Sequence, residues 1–78
     1  MIHPEQTYRH PSGAEVRALL TRLVLTHATA ARLLSLDERT IRRYVRGDTT
    51  MPYPAVHCLI SRRAGVSVQP GTWRSALD

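Results

Sequence analysis

The sequence predicts an all-α fold, a compact domain of four to five helices. Three features of its 78 residues predict this class: apolar residues recur at helical spacing, residues that favour helix N-caps precede three of the segments, and glycine follows the third and fourth segments. A chain of this length has room for one small domain. We expect a flexible N-terminal arm over residues 1–11, the helical domain over residues 12–65, and a C-terminal tail over residues 66–78 that can serve in dimerisation.

The first predicted helix follows Ser12. Ser12 and Glu15 have the spacing of a capping box, in which each side chain bonds to a free backbone N–H of the first turn. The apolar stripe of this helix consists of Val16, Leu19, Leu20, Leu23 and Val24. Thr26 can cap a second helix over residues 27–34, whose apolar side is made mainly of small residues that let helices approach closely.

The second and third helices are separated by about three residues, the length of the corner in a helix-turn-helix. Asp37 suits the N-cap of a third helix that covers residues 38–46 and ends at Gly47. A fourth helix has Pro54 in its first turn and ends at Gly65. The side chains that we assign to the core are Leu20, Leu23, Ala31, Leu34, Leu36, Ile41, Tyr44, Val56, Leu59 and Ile60.

The charge of the chain narrows the class of function. It carries 11 basic residues, all of them arginine, and 6 acidic ones, for a formal charge of +5. Arginine presents a planar set of donors suited to phosphates and guanine edges, so an anionic partner is the first hypothesis. The alternative explanation of the arginine content is a genome that favours arginine codons, in which case the net charge keeps the protein in solution. No apolar run reaches the roughly 20 residues of a membrane span and no secretory signal is present, so we expect a cytoplasmic protein.

Catalysis and metal binding are not expected. The sequence has no glycine-rich phosphate loop and no nucleophile elbow, and its histidines have no acidic neighbours in a catalytic pattern. His57 and Cys58 have no second pair of residues at zinc-ligand spacing. We therefore predict a protein that is not an enzyme and that needs no cofactor and no metal.

The third predicted helix separates charge from apolar surface. At about 100° per residue, its arginines fall on one face and its apolar residues on the other. The first face holds Arg39, Arg42, Arg43 and Arg46, and the second holds Ile41, Tyr44 and Val45. A solvated face normally mixes signs, and arginines four residues apart repel each other by roughly 0.2–0.5 kcal/mol per pair. We therefore favour contact with nucleic acid over a face that is merely solvated.

The same segment resembles a known family. Its pattern contains Leu25-Thr26-His27, Ala31, Leu34, Ser35-Leu36-Asp37, Thr40-Ile41, Tyr44 and Gly47. This pattern is similar to the helix-turn-helix of phage repressors of the lambda repressor and Cro type, except that Ser35 stands where glycine usually takes a left-handed turn and His27 replaces the usual glutamine. More narrowly, the whole chain is similar to the small anti-CRISPR-associated regulators of phages, which are dimeric repressors of their own operon.

A helix-turn-helix places its second helix in the major groove of double-stranded DNA. The residues predicted to read bases are Glu38, Arg39, Arg42 and Arg43. The residues predicted to contact phosphates are Thr26, His27, Thr40 and Arg46. We favour Arg39 and Arg43 as the residues that read bases. Arg42 could equally contact a phosphate, and Thr40 could either contact a phosphate or pack inside the domain.

One recognition helix contacts too few base pairs to select a site in a genome, so we expect a homodimer on an inverted repeat, with its recognition helices about 34 Å apart. The predicted interface residues are Ile60, Val68 and Trp73; the alternative for Trp73 is that it covers the core of the monomer. The predicted function is a repressor that regulates its own short operon in a phage or mobile element. The alternatives are an antitoxin-like regulator and an accessory module that uses the arginine face on an acidic protein or on structured RNA.

Overall fold

The chain folds as four α-helices followed by a short 3-10 helix in the computed structural model, which describes residues 8–77. The helices are α1 (Gly13–Arg22), α2 (His27–Leu34), α3 (Glu38–Arg46) and α4 (Tyr53–Ala64), and the 3-10 helix is Trp73–Leu77. α3 packs against both α1 and α2, α4 packs against α2, and the 3-10 helix lies on α1 and α4. The predicted all-α class is confirmed.

Side-chain caps begin α1 and α2, as the sequence indicates. In α1 the backbone N–H of Glu15 donates to Oγ of Ser12 (3.2 Å), and the N–H of Ser12 donates to Oε1 of Glu15 (2.9 Å). In α2 the N–H of Thr29 donates to Oγ1 of Thr26 (3.1 Å), and the N–H of Thr26 donates to Oγ1 of Thr29 (2.8 Å). Asp37 stands at the N-cap of α3 in an extended conformation, but its side chain makes no capping hydrogen bond.

Each of the four α-helices is followed by a residue in the left-handed backbone conformation. These residues are Val24 after α1 (φ 56°), Ser35 after α2 (φ 55°), Gly47 after α3 (φ 80°) and Gly65 after α4 (φ 75°). After α1, α2 and α3, two backbone N–H groups bond back to carbonyl groups of the last turn, which would otherwise lack donors. The prediction that Ser35 takes the left-handed position is confirmed.

Val24 and Leu36 depart from the predicted core. α1 ends at Arg22, and the side chain of Val24 is 78% exposed rather than part of the apolar stripe. A side chain in the left-handed conformation costs roughly 1–2 kcal/mol, but the turn lets the N–H of Leu25 donate to the carbonyl of Leu20 (2.9 Å). Leu36 is 39% exposed, because the turn at Ser35 brings the chain to the surface before α3 begins.

Trp73 brings the C-terminal tail into the core. Its side chain is fully buried where the 3-10 helix meets α1 and α4, and Ile60 of α4 is fully buried as well. Both residues were expected at a dimer interface, but within a single chain they leave no surface for a second copy, and they act as core residues. This agrees with the alternative that Trp73 covers the core of the monomer. Val68 is half-buried, and its carbonyl accepts a hydrogen bond from the hydroxyl of Tyr53 (2.9 Å).

The described end of the predicted N-terminal arm packs on the domain. Pro11 is buried, and the half-buried Tyr8 donates its hydroxyl to the carbonyl of Met51 (2.7 Å). Burial raises the pKa of Tyr8 to about 12, so its hydroxyl stays protonated. The ring of Tyr8 also lies edge-on to that of Tyr53, with 5.5 Å between their centres. The packed domain therefore begins before Ser12, whereas residues 1–7 of the predicted arm lie outside the described residues.

An ion pair joins the tail to the first turn of α1. Nε of Arg74 donates to Oε2 of Glu15 (2.6 Å), and Nη2 donates to Oε1 (3.1 Å). The guanidinium of Arg74 also lies 4.5 Å from the centre of the Trp73 ring. The hydrogen bond from Arg74, followed by that from the backbone of Ser12, lowers the pKa of Glu15 to about 2.

Replacing Trp73 with alanine should lower the free energy of unfolding by about 3–5 kcal/mol, because it empties the place of the largest fully buried side chain. Urea denaturation followed by circular dichroism measures the change. Trp73→Phe is the matched control: it keeps an aromatic ring and removes an indole N–H that has no acceptor among the described residues, so it should cost less. Equal stability of the alanine variant and the original chain would contradict the role of Trp73 in the core.

The ion pair between Glu15 and Arg74 should make stability depend on acid pH. Since the folded pKa of Glu15, about 2, lies below its usual value of 4.5, the stabilisation is complete above about pH 4.5 and is lost as the pH falls towards 2. We expect the unfolding temperature of the original chain to exceed that of Glu15→Gln near neutral pH and to approach it as the pH falls through this range. Glu38→Gln, which removes an exposed pair within α3, is the control and should change little. A constant difference down to about pH 2 would contradict the account.

Candidate nucleic-acid interface

α3 presents its arginines on the side that faces away from the core. The side chains of α3 that are buried are Ile41, Tyr44 and Val45. The side chains of α3 that are exposed include Arg39, Arg42, Arg43 and Arg46. The buried side fixes the rotation of the helix about its axis, so the four arginines share one outward surface, which we call the arginine face.

Gly13 lets α1 approach the C-terminal end of α3 closely. A Cβ atom added to Gly13 would overlap the carbonyl oxygen of Val45 and would lie 3.1 Å from the backbone nitrogen of Gly47. Both atoms belong to the backbone, which cannot swing aside as a side chain can. The absence of a side chain at Gly13 therefore helps to set the position of α3, and with it the position of the arginine face.

The arginines of α3 differ in what they contact. Nη1 of Arg42 donates to Oε1 of Glu38 at 3.0 Å, one helical turn away. Nε of Arg46 lies 3.4 Å from Oδ2 of Asp48 in the loop after α3. Within residues 8–77, Arg39 and Arg43 have no hydrogen-bond or ion-pair partner of their side chains. Their guanidinium groups are therefore available to an external acceptor without the loss of an internal bond.

A crevice lies beside the N-terminus of α2. Its polar lining residues are Arg17, Thr21, Thr26, His27 and Glu38. The first backbone N–H groups of a helix lack intrahelical acceptors and attract anions. The structure thus brings Thr26 and His27, which were predicted to contact phosphates, close to Glu38 of α3; Thr40, the fourth residue of that predicted group, is half-buried on α3. Arg17 was not among the predicted contacts, and its place off the apolar stripe of α1 was the available signal.

Two arginines of α4 are engaged within the domain. Nη1 of Arg62 donates to the carbonyl of Leu33 (2.5 Å), and Nε of Arg63 donates to the carbonyl of Leu23 (2.8 Å). Both carbonyls lie at helix ends, where backbone oxygens lack intrahelical donors. These arginines stabilise the ends of α1 and α2, and the sequence contains no short-range signal for such bonds.

Among the described residues, no group of three or more histidine, cysteine, aspartate or glutamate side chains is placed to hold a metal ion. The helices of residues 8–77 are all too short or too polar to span a bilayer.

Known proteins resemble this chain in sequence. Two similar proteins, each described as transcriptional repressor protein KorC from Escherichia coli, are 44% and 40% identical to it over 57 residues. Each of these alignments covers 69% of this chain and 67% of the relative. The chain belongs to the KorC family of transcriptional repressors. Membership of the KorC family confirms the predicted class of regulator, whereas the narrower resemblance to anti-CRISPR-associated regulators stays a prediction. No protein-family model and no solved structure matches the chain.

Proposed function

We propose that this chain represses transcription by binding double-stranded DNA in a sequence-specific manner, with α2 and α3 as a helix-turn-helix and α3 in the major groove. The observation that carries the proposal is the arginine face of α3, which is exposed opposite a buried side and follows α2 after three connecting residues, 35–37. The relationship to the KorC repressors supports the same class of function.

In this proposal, Arg39 and Arg43 read bases. A recognition helix presents its N-terminal residues to base edges, and arginine can donate two hydrogen bonds to O6 and N7 of guanine. Arg39 and Arg43 lie in the first two turns of α3, and neither has an internal partner among the described residues. Glu38 adds a carboxylate, which can accept a hydrogen bond from N4 of cytosine, and its partner Arg42 adds a third guanidinium.

Phosphate contacts surround the base-reading residues. Arg46 is at the C-terminal end of α3, and its side chain is exposed despite its pairing with Asp48. Thr26 and His27 lie at the N-terminus of α2, where they and the free backbone N–H groups can donate to a phosphate oxygen. Thr40 is assigned to the same role. These contacts hold the helix in register on the duplex and carry no sequence information themselves.

Repression by such a protein requires no catalysis and no cofactor, because a protein bound across a promoter excludes the polymerase. We propose a homodimer on an inverted repeat, since two recognition helices about 34 Å apart meet the major groove one turn apart on the same side of the duplex. The resemblance to anti-CRISPR-associated regulators implies an operator upstream of the chain's own short operon in a phage or mobile element.

Selection of bound duplexes from a random DNA pool, at about physiological salt, tests the proposed function. We expect enrichment of an inverted repeat whose half-sites are one helical turn apart. Absence of any enriched sequence would contradict the proposal and would favour an acidic protein or structured RNA as the partner of the arginine face.

Arg39→Ala and Arg46→Ala should weaken DNA binding in different ways. Loss of a bidentate contact to guanine costs about 1–3 kcal/mol, so Arg39→Ala should lower affinity for the selected site by roughly 5- to 150-fold and for random DNA much less. Arg46→Ala should weaken binding to both duplexes by a similar factor and should reduce the salt slope by about one. Fluorescence anisotropy over a series of salt concentrations measures both effects.

Arg32→Ala is the matched control, because Arg32 is exposed on α2 away from the arginine face. It should leave the discrimination between the two duplexes unchanged. Equal losses on selected and random DNA for Arg39→Ala and Arg46→Ala would contradict the division of roles.

A further inference from the structure

An open apolar groove runs between α4 and the connection from α2 to α3. The α4 side of the groove presents Pro54, Ala55 and Cys58, and the opposite side presents Leu34 and Leu36. Leu36 is one of the large apolar side chains that the described chain leaves exposed. Apolar side chains that adjoin one another at the surface indicate a contact site, whereas isolated exposed apolar side chains are common and carry no such meaning.

The groove carries little charge compared with the rest of the surface. Arg62 is the single charged residue in its lining, and its guanidinium already donates to the carbonyl of Leu33. The groove beside Leu33 and Leu25 is lined by Arg63, which donates to the carbonyl of Leu23, and by Arg32, which has no internal partner among the described residues. The crevice at α2 contains Arg17 and also Glu38, whose carboxylate is paired with Arg42. Two chains of charge +5 repel each other, so they can meet most readily where the fewest unpaired arginines would face one another.

Covering this groove leaves the arginine face of α3 free. Tyr44, which also lines the groove, belongs to the side of α3 that packs inward, opposite the four arginines. The chain measures 38 × 27 × 23 Å along its principal axes. The centres of two copies in contact across the groove therefore lie roughly one molecular width apart, a distance of the same order as the turn of about 34 Å that separates two major-groove half-sites.

We propose that a second copy of this chain covers the groove between α4 and the α2–α3 connection and so forms the symmetric dimer; this inference rests on the proposed function, because one copy provides half of an inverted-repeat reader. The contact is isologous, with Leu36 and Pro54 of each copy at its centre. It replaces Ile60 and Trp73, which are buried within the single chain, as the surface for dimerisation.

Leu36→Glu and Pro54→Glu test the proposal by sedimentation velocity over a range of protein concentrations. Both positions are exposed, so neither change empties the core, and a carboxylate at position 54 lies near the N-terminus of α4, where it is favourable to the helix. Burying an unpaired carboxylate in the dimer contact should weaken dimerisation by about 10-fold or more. The unfolding temperature of each variant, measured by circular dichroism, verifies that the fold is retained.

Val24→Glu is the matched control, because it adds the same charge at an exposed apolar residue outside the groove. We expect the original chain and Val24→Glu to be dimers, and the two groove variants to be monomers at the same concentration. A folded Leu36→Glu and Pro54→Glu that both remain dimeric would overturn the proposal, as would an original chain that is monomeric at the concentration at which it binds a selected inverted repeat.

A second measurement separates this inference from the proposed function. On a single half-site duplex, the groove variants should bind as well as the original chain, while on the full inverted repeat they should lose most of the gain in affinity. If the original chain selects no DNA sequence but the groove variants still lose dimerisation, the dimer contact stands and the proposed function fails. If sequence selection is intact and the groove variants dimerise normally, the function stands and the groove is not the interface.

Discussion

Burial of one side of α3 is the constraint on which the candidate functional surface depends. α3 has 9 residues, and a helix of this length is marginal in water without tertiary packing. Its arginines repel one another, so local interactions alone do not favour it. The packing of Ile41, Tyr44 and Val45 against α1 and α2 stabilises the helix and fixes its rotation. The arginine face is therefore a product of the core, and the close approach at Gly13 sets where that face lies.

Two groups of arginines have different physical roles. Arg62, Arg63 and Arg74 bond to carbonyl groups or to Glu15, and they hold helix ends and the tail together. Arg39 and Arg43 make no such bond within the described residues and face outward. Net charge alone thus overstates the number of arginines that are available to a partner. The position of each guanidinium, rather than the total charge, supports DNA as the ligand.

The sequence predicted the features that depend on neighbouring residues. The capping residues Ser12 and Thr26 and the bounds of α2 and α3 are correct, because caps and helical periodicity act over a few residues. Val24 was misplaced because periodicity continued past the end of α1, while the backbone instead turned to satisfy the last carbonyls. Such a turn usually carries glycine, so a valine there gives no warning.

Features that depend on residues far apart in the chain could not be predicted from the sequence. The tail has no helical period, so the burial of Trp73 against α1 and α4 could not be distinguished from a contact between chains. The bonds of Arg62 and Arg63 span 29 and 40 residues, and no spacing rule reports them. In the candidate site, the faces of α3 followed from geometry, but which arginines have internal partners required side-chain positions. Arg17 entered the site only through the packing of α1 beside α2.

In the proposed function, Arg39 donates hydrogen bonds to a guanine base, and the sharpest test of this contact is to remove the acceptor atom from the DNA. In an operator obtained by selection, each guanine is replaced in turn by 7-deazaguanine, which lacks the N7 acceptor, and affinity is measured for the original chain and for Arg39→Ala. We expect one guanine per half-site at which the substitution weakens binding by the original chain several-fold and leaves binding by Arg39→Ala unchanged. If the substitution weakens binding by both proteins equally at every guanine, Arg39 does not contact guanine N7 and its proposed role in reading bases is wrong.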